Sequence, residues 1–159
     1  MKYRIISVGK IREIFYTQGV NEYLKRLGPY TSIELWDGLE EKVSPRAGAK
    51  DIERVLNKEG ERILSLLGEH ELLIVLDGKG KQLSSEDLAN CIEEWNMSGL
   101  NRVNLVIGGS HGLADIVKKR ADRIISFSKM TFPHQMAVLV LSEQLYRGFK
   151  ILKGEPYHK

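Results

Sequence analysis

Residues 103–113, VNLVIGGSHGL, carry the pattern that decides the fold. The run Val103–Ile107 is almost continuously apolar, which is typical of a strand covered on both faces in a parallel sheet. Three glycines within the next five residues predict a tight turn, because glycine adopts backbone conformations that other residues avoid. A helix is expected to begin near Leu113. The stretch therefore predicts one strand-turn-helix unit of an α/β protein.

The same alternation of strands and helices extends along the rest of the chain. Four further apolar runs predict strands, namely Ile5–Val8, Ile33–Trp36, Leu72–Leu76 and Ile124–Phe127. Apolar residues at helical spacing occupy residues 52–67 and 88–95, the second behind a capping pattern of Ser84 and Asp87. This order predicts a mainly parallel sheet flanked by helices, in a single domain over residues 1–159, with the first strand at an edge.

The last helix is expected to be the longest. It should begin near Pro133 and run to about Lys153, before Gly154 and Pro156 end it. Its apolar residues cover more than one side, which indicates two partners. We expect these partners to be the sheet and a second subunit.

The composition is that of a globular protein. Hydrophobic residues make up 42% of 159 residues, enough to build a core without disulfides. Cys91 is the only cysteine, and no run approaches the roughly 18 apolar residues of a membrane span. A reducing, cytoplasmic location is therefore expected, with no export and no membrane partner. The four histidines lack metal-ligand spacing, so no metal is expected.

Positive charge is concentrated near the end of the chain. Residues 101–159 contain ten lysines and arginines against four acidic residues, whereas residues 1–100 contain 14 against 17. Such a basic region can meet a phosphate backbone, although a solvated basic face is the plainer alternative. Trp36 and Trp95 fall in strand and helix patterns and are expected in the core rather than as base-stacking platforms.

Three segments that follow predicted strands are candidate ligand sites, because ligands bind beyond the carboxyl ends of parallel strands. The first is LDGKGK at residues 76–81, where glycines and lysines indicate either an anion site or a plain turn. The second is IGGSHG at residues 107–112, where amides could approach a ligand closely. The third is SFSKMTFPHQ at residues 126–135, whose hydroxyls are as compatible with helix capping as with a site.

The glycine turn also allows a different enzyme class. Residues 108–112 spell G-x-S-x-G, the pattern of a hydrolase nucleophile elbow with Ser110 as the nucleophile. The chain is short for such a hydrolase and lacks a second glycine cluster for an oxyanion hole. A small serine hydrolase is therefore the second hypothesis.

Taken together, the motifs resemble one family. They are LDGKG at 76–80, the glycine turn at 107–112, TFPHQ at 131–135, EQLYR at 143–147 and PYHK at 156–159. The chain resembles the SPOUT-class bacterial 23S ribosomal RNA pseudouridine methyltransferases, the RlmH family, over essentially its whole length. The resemblance implies a C-terminal deep trefoil knot, a homodimer with each cofactor pocket near the subunit interface, and S-adenosylmethionine as cofactor.

The resemblance also implies the cofactor pocket and the reaction, and the catalytic residues follow as a hypothesis. The S-adenosylmethionine pocket should be formed by Leu76, Gly108, Phe127, Ser128, Lys129, Met130, Thr131 and Phe132. Methylation is expected at N3 of a pseudouridine in 23S ribosomal RNA of the assembled ribosome, with a catalytic set of His158, Tyr157, Lys159, His134 and Arg147. His134 and His158 are the candidate bases. Ser110-His111 and Lys159 depart from the usual family pattern, and a noncatalytic ribosome-binding module is the third hypothesis.

Overall fold

The computed structural model describes residues 1–159. Five parallel strands are interleaved with five helices. The strands are β1 (Lys2–Ser7), β2 (Ser32–Trp36), β3 (Glu71–Gln82), β4 (Arg102–Ile107) and β5 (Arg123–Ser126). The helices are α1 (Ile14–Leu27), α2 (Ala49–Leu66), α3 (Ser85–Met97), α4 (Asp115–Arg120) and α5 (His134–Lys153). The α/β fold with a parallel sheet flanked by helices is confirmed.

The strand order is β2-β1-β4-β3-β5, so β2 and β5 lie at the edges. The prediction that the first strand is an edge strand is wrong. β1 pairs with β2 on one side and with β4 on the other, and all of its residues except Lys2 are buried. Even Arg4 is buried there, because its guanidinium bonds to Glu34 and to the Leu66 carbonyl.

Two apolar layers cover the sheet. The larger layer includes α1, α3 and α5, and the smaller one includes α2 and α4. Helix α5 packs against both α1 and α3, so its two apolar sides are covered within one chain. The two-sided pattern of α5 therefore does not require a second subunit.

Helix ends follow the local sequence closely. Ser84 and Asp87 form the predicted capping box at the start of α3. Pro133 is the N-cap residue of α5 rather than part of its first turn, and Gly154 ends the helix with a φ of 65°. Helix α1 was not predicted; of its residues, only Val20 and Leu27 are fully buried.

The two tryptophans differ in burial. Trp95 lies in the core as predicted. Trp36 is 38% exposed, so its placement in the core is wrong. Its ring is covered by the guanidinium of Arg4, 4.2 Å from the ring centroid.

The strand β3 is longer than predicted, and its second half contacts β5 again. Ile125 pairs both with Leu76 and with Lys81, so the intervening residues Asp77–Gly80 cross β5. A Cβ atom at Gly80 would lie 2.8 Å from backbone atoms of Ile124 and Ile125. Only glycine fits this crossing. The segment predicted as a free turn is thus held against the sheet.

None of the helices combines the length and the apolar character needed to cross a membrane. The trefoil knot that the family resemblance implies stays a prediction.

Replacing Gly80 with alanine is expected to lower the free energy of unfolding by roughly 1–3 kcal/mol, since the backbone atoms it meets cannot move aside. Urea unfolding at fixed protein concentration measures the change. Gly78→Ala is the matched control, because its nearest heavy atom is the Ser128 carbonyl oxygen at 3.9 Å. Equal stability of the two variants would contradict the close crossing.

Candidate active site

A cleft of about 440 Å³ lies at the carboxyl ends of the first half of β3, of β4 and of β5. Three segments line it, residues 76–78, residues 107–113 except His111, and residues 126–134, together with Ala137. They meet because these strands are neighbours in the parallel sheet, so their carboxyl ends share one edge. The volume is that of a pocket for a small-molecule ligand.

The cleft brings together every residue predicted to hold the cofactor. These residues are Leu76, Gly108, Phe127, Ser128, Lys129, Met130, Thr131 and Phe132. Their common location agrees with the predicted pocket, while their role in binding stays a prediction.

The glycine turn after β4 folds tightly on itself. A Cβ atom at Gly108 would lie 2.8 Å from the carbonyl oxygen of Gly112, and Gly112 has a φ of 84°. The Gly112 amide donates to the Gly109 carbonyl at 3.0 Å. Larger residues would open this turn, so the wall that it offers to the cleft is made of backbone.

The segment after β5 is shaped by serine side chains. Ser126 Oγ donates to the Ser128 carbonyl at 2.8 Å and accepts from the Ser128 amide at 3.2 Å. Ser128 Oγ accepts from the Met130 amide at 3.0 Å. Met130 itself is 75% exposed, which leaves its side chain free to cover a ligand. These local bonds keep residues 126–130 out of α5.

Asp77 organises the wall formed by the β3 crossing. Its Oδ1 accepts from the Lys79 amide at 2.8 Å, and its Oδ2 lies 3.3 Å from Lys118 Nζ. The hydrogen bond from the Lys79 amide holds the pKa of Asp77 below its usual value, and the contact with Lys118 lowers it further. Asp77 is therefore ionised and bound at neutral pH.

His134 is the one predicted catalytic residue that lines the cleft. It is the first residue of α5, and its Nε2 lies 3.1 Å from the Lys10 carbonyl oxygen, in the connection between β1 and α1. The ring is packed against buried Gly9, whose Cα faces the imidazole.

Three of the other predicted catalytic residues, Arg147, Tyr157 and His158, form a C-terminal cluster with Glu86 and Glu143. Tyr157 donates to Glu143 Oε1 at 3.0 Å, and Arg147 binds the same carboxylate. His158 lies between Arg147 and Glu86, at 3.1 Å and 2.7 Å. The chain end is thus docked rather than frayed.

Charge and burial fix the protonation of this cluster. Burial raises the pKa of Tyr157 above its usual range, so its phenol stays neutral and can donate a hydrogen bond. The hydrogen bond to Glu143 raises the pKa of Arg147 further. The bond to His158 lowers the pKa of Glu86.

Within one chain the C-terminal cluster does not line the cleft. Lys159 is exposed and makes no side-chain hydrogen bond or ion pair. The structure thus separates the predicted catalytic residues into His134 at the cleft and the four others outside it.

Several residues that shape these sites were not predicted from the sequence. Glu86 and Glu143 orient the tail, and Asp77 and Gly9 shape the cleft. The EQLYR motif contained Glu143, and a residue four positions before Arg147 is a natural helical partner for it. Nothing local marks Glu86, which lies 72 residues from His158 in the chain.

Ser110 lines the cleft, but no histidine is hydrogen-bonded to its hydroxyl. Helix α4 begins at Asp115, so Ser110 does not sit on a sharp strand-to-helix elbow. The geometry does not support the hydrolase hypothesis. No group of three or more histidine, cysteine or acidic side chains is arranged to hold a metal ion.

Comparison with known proteins defines the class. A family model described as "Predicted SPOUT methyltransferase" matches residues 1–158, so the chain belongs to the SPOUT methyltransferase family. It is 63% identical to a Syntrophomonas wolfei protein named "Ribosomal RNA large subunit methyltransferase H", over the full length of both chains. Proteins of the same name from Halothermothrix orenii and Enterococcus faecalis are 48% and 46% identical, again over full length.

Replacing Asp77 with alanine is expected to lower the free energy of unfolding at pH 7 by about 1–2 kcal/mol, since two contacts of a charged group are lost. The folded-state pKa lies below the unfolded value of about 3.9. The stabilisation is therefore present above that value and is lost as pH falls through the folded-state pKa.

The stability difference between Asp77→Ala and the unsubstituted protein should therefore shrink as pH falls. Urea unfolding of both proteins from about pH 7 down to about pH 3 measures this difference. Glu61→Ala on the exposed side of α2 is the control, because Glu61 makes no ion pair. A stability gap that stayed constant with pH would contradict the role given to the Asp77 carboxylate.

Proposed function

We propose that this protein transfers a methyl group from S-adenosylmethionine to N3 of a pseudouridine in 23S ribosomal RNA of the assembled ribosome. The observation that carries the proposal is the cleft itself. Three segments meet there: the closed glycine turn after β4, the loop after β5 that serine hydrogen bonds hold, and the β3 crossing at residues 77–80. The names of the full-length relatives support a ribosomal RNA substrate.

The residues of the cleft fit S-adenosylmethionine. Backbone groups of Gly108 and of residues 127–132 can bind the adenine and the amino acid portion, while Leu76 and Met130 enclose the apolar parts. Gly108 lets the glycine turn close on itself, because a Cβ atom there would meet the Gly112 carbonyl. The bound cofactor supplies a methyl group activated by a positively charged sulfur.

The protein's own part is to orient the acceptor and to move a proton. Pseudouridine N3 carries a weakly acidic imide hydrogen, which a base must remove as the nitrogen attacks the methyl group. His134 and His158 are the two candidate bases. Tyr157 can stack on the nucleobase or donate to it, and Arg147 and Lys159 can stabilise negative charge on its carbonyl oxygens.

Exposed lysines follow strand ends on the side of the sheet that carries the cleft. Lys10, Lys79 and Lys129 are all exposed and follow the carboxyl ends of β1, the first half of β3, and β5. They lie at the same edge of the sheet as the cleft, where they can contact phosphates that flank the target nucleotide. A ribosomal substrate also implies that the protein works in the cytoplasm.

We further propose that the working form is a homodimer. Ile14 and Phe15 at the start of α1 are 73% and 63% exposed, more than large apolar residues usually are in a monomer. The adjacent Glu13 amide bonds to Gln135, next to partly exposed Met136, so this apolar patch borders the beginning of α5. A second subunit that covered it would also lie close to the cleft.

Radiolabelled methyl transfer tests the function. With ribosomes from cells lacking the modification, we expect incorporation at one pseudouridine N3, identified by mass mapping of nucleosides. Gly108→Ala should weaken S-adenosylmethionine binding by at least about tenfold, because its methyl would force the glycine turn open. Gly48→Ala is the control, since no atom lies within 4 Å of the added methyl.

The absence of both cofactor binding and methyl transfer in the dimeric protein would refute the enzymatic proposal. Binding to ribosomes without transfer would favour the noncatalytic module instead.

Deletion of residues 157–159 is expected to abolish methyl transfer while leaving S-adenosylmethionine affinity nearly unchanged, because the tail lies outside the cleft within one chain. Calorimetry with the cofactor and transfer to ribosomes measure the two effects separately. Deletion of Lys159 alone is the milder comparison, since it retains the bonds of Tyr157 and His158. Loss of cofactor binding together with activity would contradict the roles assigned to the tail.

A further inference from the structure

The contact between His134 and Gly9 stands out among the polar groups of the cleft. His134 reaches across from the start of α5 to the connection after β1, and Gly9 is buried beneath its ring. A Cβ atom at Gly9 would overlap the imidazole. The ring can occupy this position only because residue 9 has no side chain.

The bond to Lys10 decides which ring nitrogen is free. A carbonyl oxygen only accepts hydrogen bonds, so Nε2 of His134 must carry the hydrogen that it donates. In the neutral ring the other nitrogen, Nδ1, then holds a lone pair. Nδ1 has no hydrogen-bond partner within the chain. His134 therefore presents one unoccupied basic nitrogen at a residue that lines the cleft.

His158 is in the opposite situation. The guanidinium of Arg147 only donates, so Nδ1 of His158 must accept from it, and Nε2 donates to Glu86. Both nitrogens are occupied as long as the tail stays docked. Proton uptake at Nδ1 of His158 would also place two positive groups against each other.

We propose that Nδ1 of His134 accepts the N3 proton of the target base, and that Gly9 is the positioning residue that makes this possible. The inference rests on the proposed function. As the proton moves to Nδ1, the electron pair of the N3–H bond forms the bond from N3 to the methyl carbon. The bond between that carbon and sulfur breaks, its electron pair goes to sulfur, and the resulting imidazolium later releases its proton to water.

The Lys10 carbonyl that orients His134 is itself held in place. The Ile11 amide, in the same peptide group, donates to Asp37 Oδ2 at 2.8 Å. The amides of Arg12 and Glu13 both donate to Gln135 Oε1, at 2.9 and 3.0 Å. Neighbouring residues of α5 thus supply the ring and fasten the loop that orients it. A fixed acceptor of this kind is what a base needs to stay aligned.

His134→Gln separates the catalytic from the structural role. Its amide can still donate to the Lys10 carbonyl, but it cannot take up a proton at neutral pH. We expect the melting temperature and S-adenosylmethionine affinity to change little, and the turnover rate with saturating ribosomes to fall by about 100-fold or more. Activity close to that of the unsubstituted protein would overturn the proposal, because it would leave His134 only a structural role.

Gly9→Ala displaces the ring without removing it. The atoms that the methyl would meet belong to a movable side chain, so stability should be nearly unchanged. We expect turnover to fall about 10–100-fold, with no further loss when Gly9→Ala is added to His134→Gln. Gly48→Ala, whose methyl meets nothing, should be fully active.

Nitrogen-15 NMR of the histidine rings gives a readout that is independent of activity. In the unsubstituted protein the Nε2 of His134 should carry a hydrogen, and Gly9→Ala should change this signal. Hydrogen on Nδ1 in the unsubstituted protein would overturn the assignment. If the unsubstituted protein transfers no methyl group, the proposed function fails; if it is active and His134→Gln is equally active, only this inference fails.

Discussion

The cleft depends on the passage of residues 77–80 across β5. Both halves of β3 pair with Ile125, and Gly80 lies directly on the backbone of Ile124 and Ile125. This contact places Gly78 over the loop that follows β5, where Ser126 Oγ approaches the Gly78 carbonyl at 3.4 Å. Two of the three walls are thereby fixed to each other by backbone contacts, which side-chain motion does not loosen.

The polar groups proposed for catalysis lie in two places, the C-terminal cluster and the cleft. The C-terminal cluster is self-satisfied, with Glu143 and Glu86 holding Arg147, Tyr157 and His158. His134 is held through only one ring nitrogen. The proposed roles differ accordingly: we propose that the docked tail recognises the nucleobase and that His134 accepts its proton.

The elements of the fold followed from the sequence because their signals are local. Apolar runs such as 72–76 and 103–107 predicted strands, and Ser84 with Asp87 predicted the cap of α3. Helix α1 was missed although Val20, Leu24 and Leu27 recur at helical spacing. The prediction of β1 as an edge strand was wrong; β1 lies inside the sheet, where Glu34 and the Leu66 carbonyl bind the Arg4 guanidinium.

The sequence by itself determined the strand-helix alternation, the three loops of the cleft and, through resemblance to a family, all eight residues proposed to bind the cofactor. Only the tertiary structure decided that His134 meets Lys10, 124 positions away, and that the tail is docked outside the cleft. Periodicity and turn residues report on neighbours along the chain. Strand order and close backbone crossings set which distant atoms meet, and hydrogen-bond partners then fix which nitrogen is free.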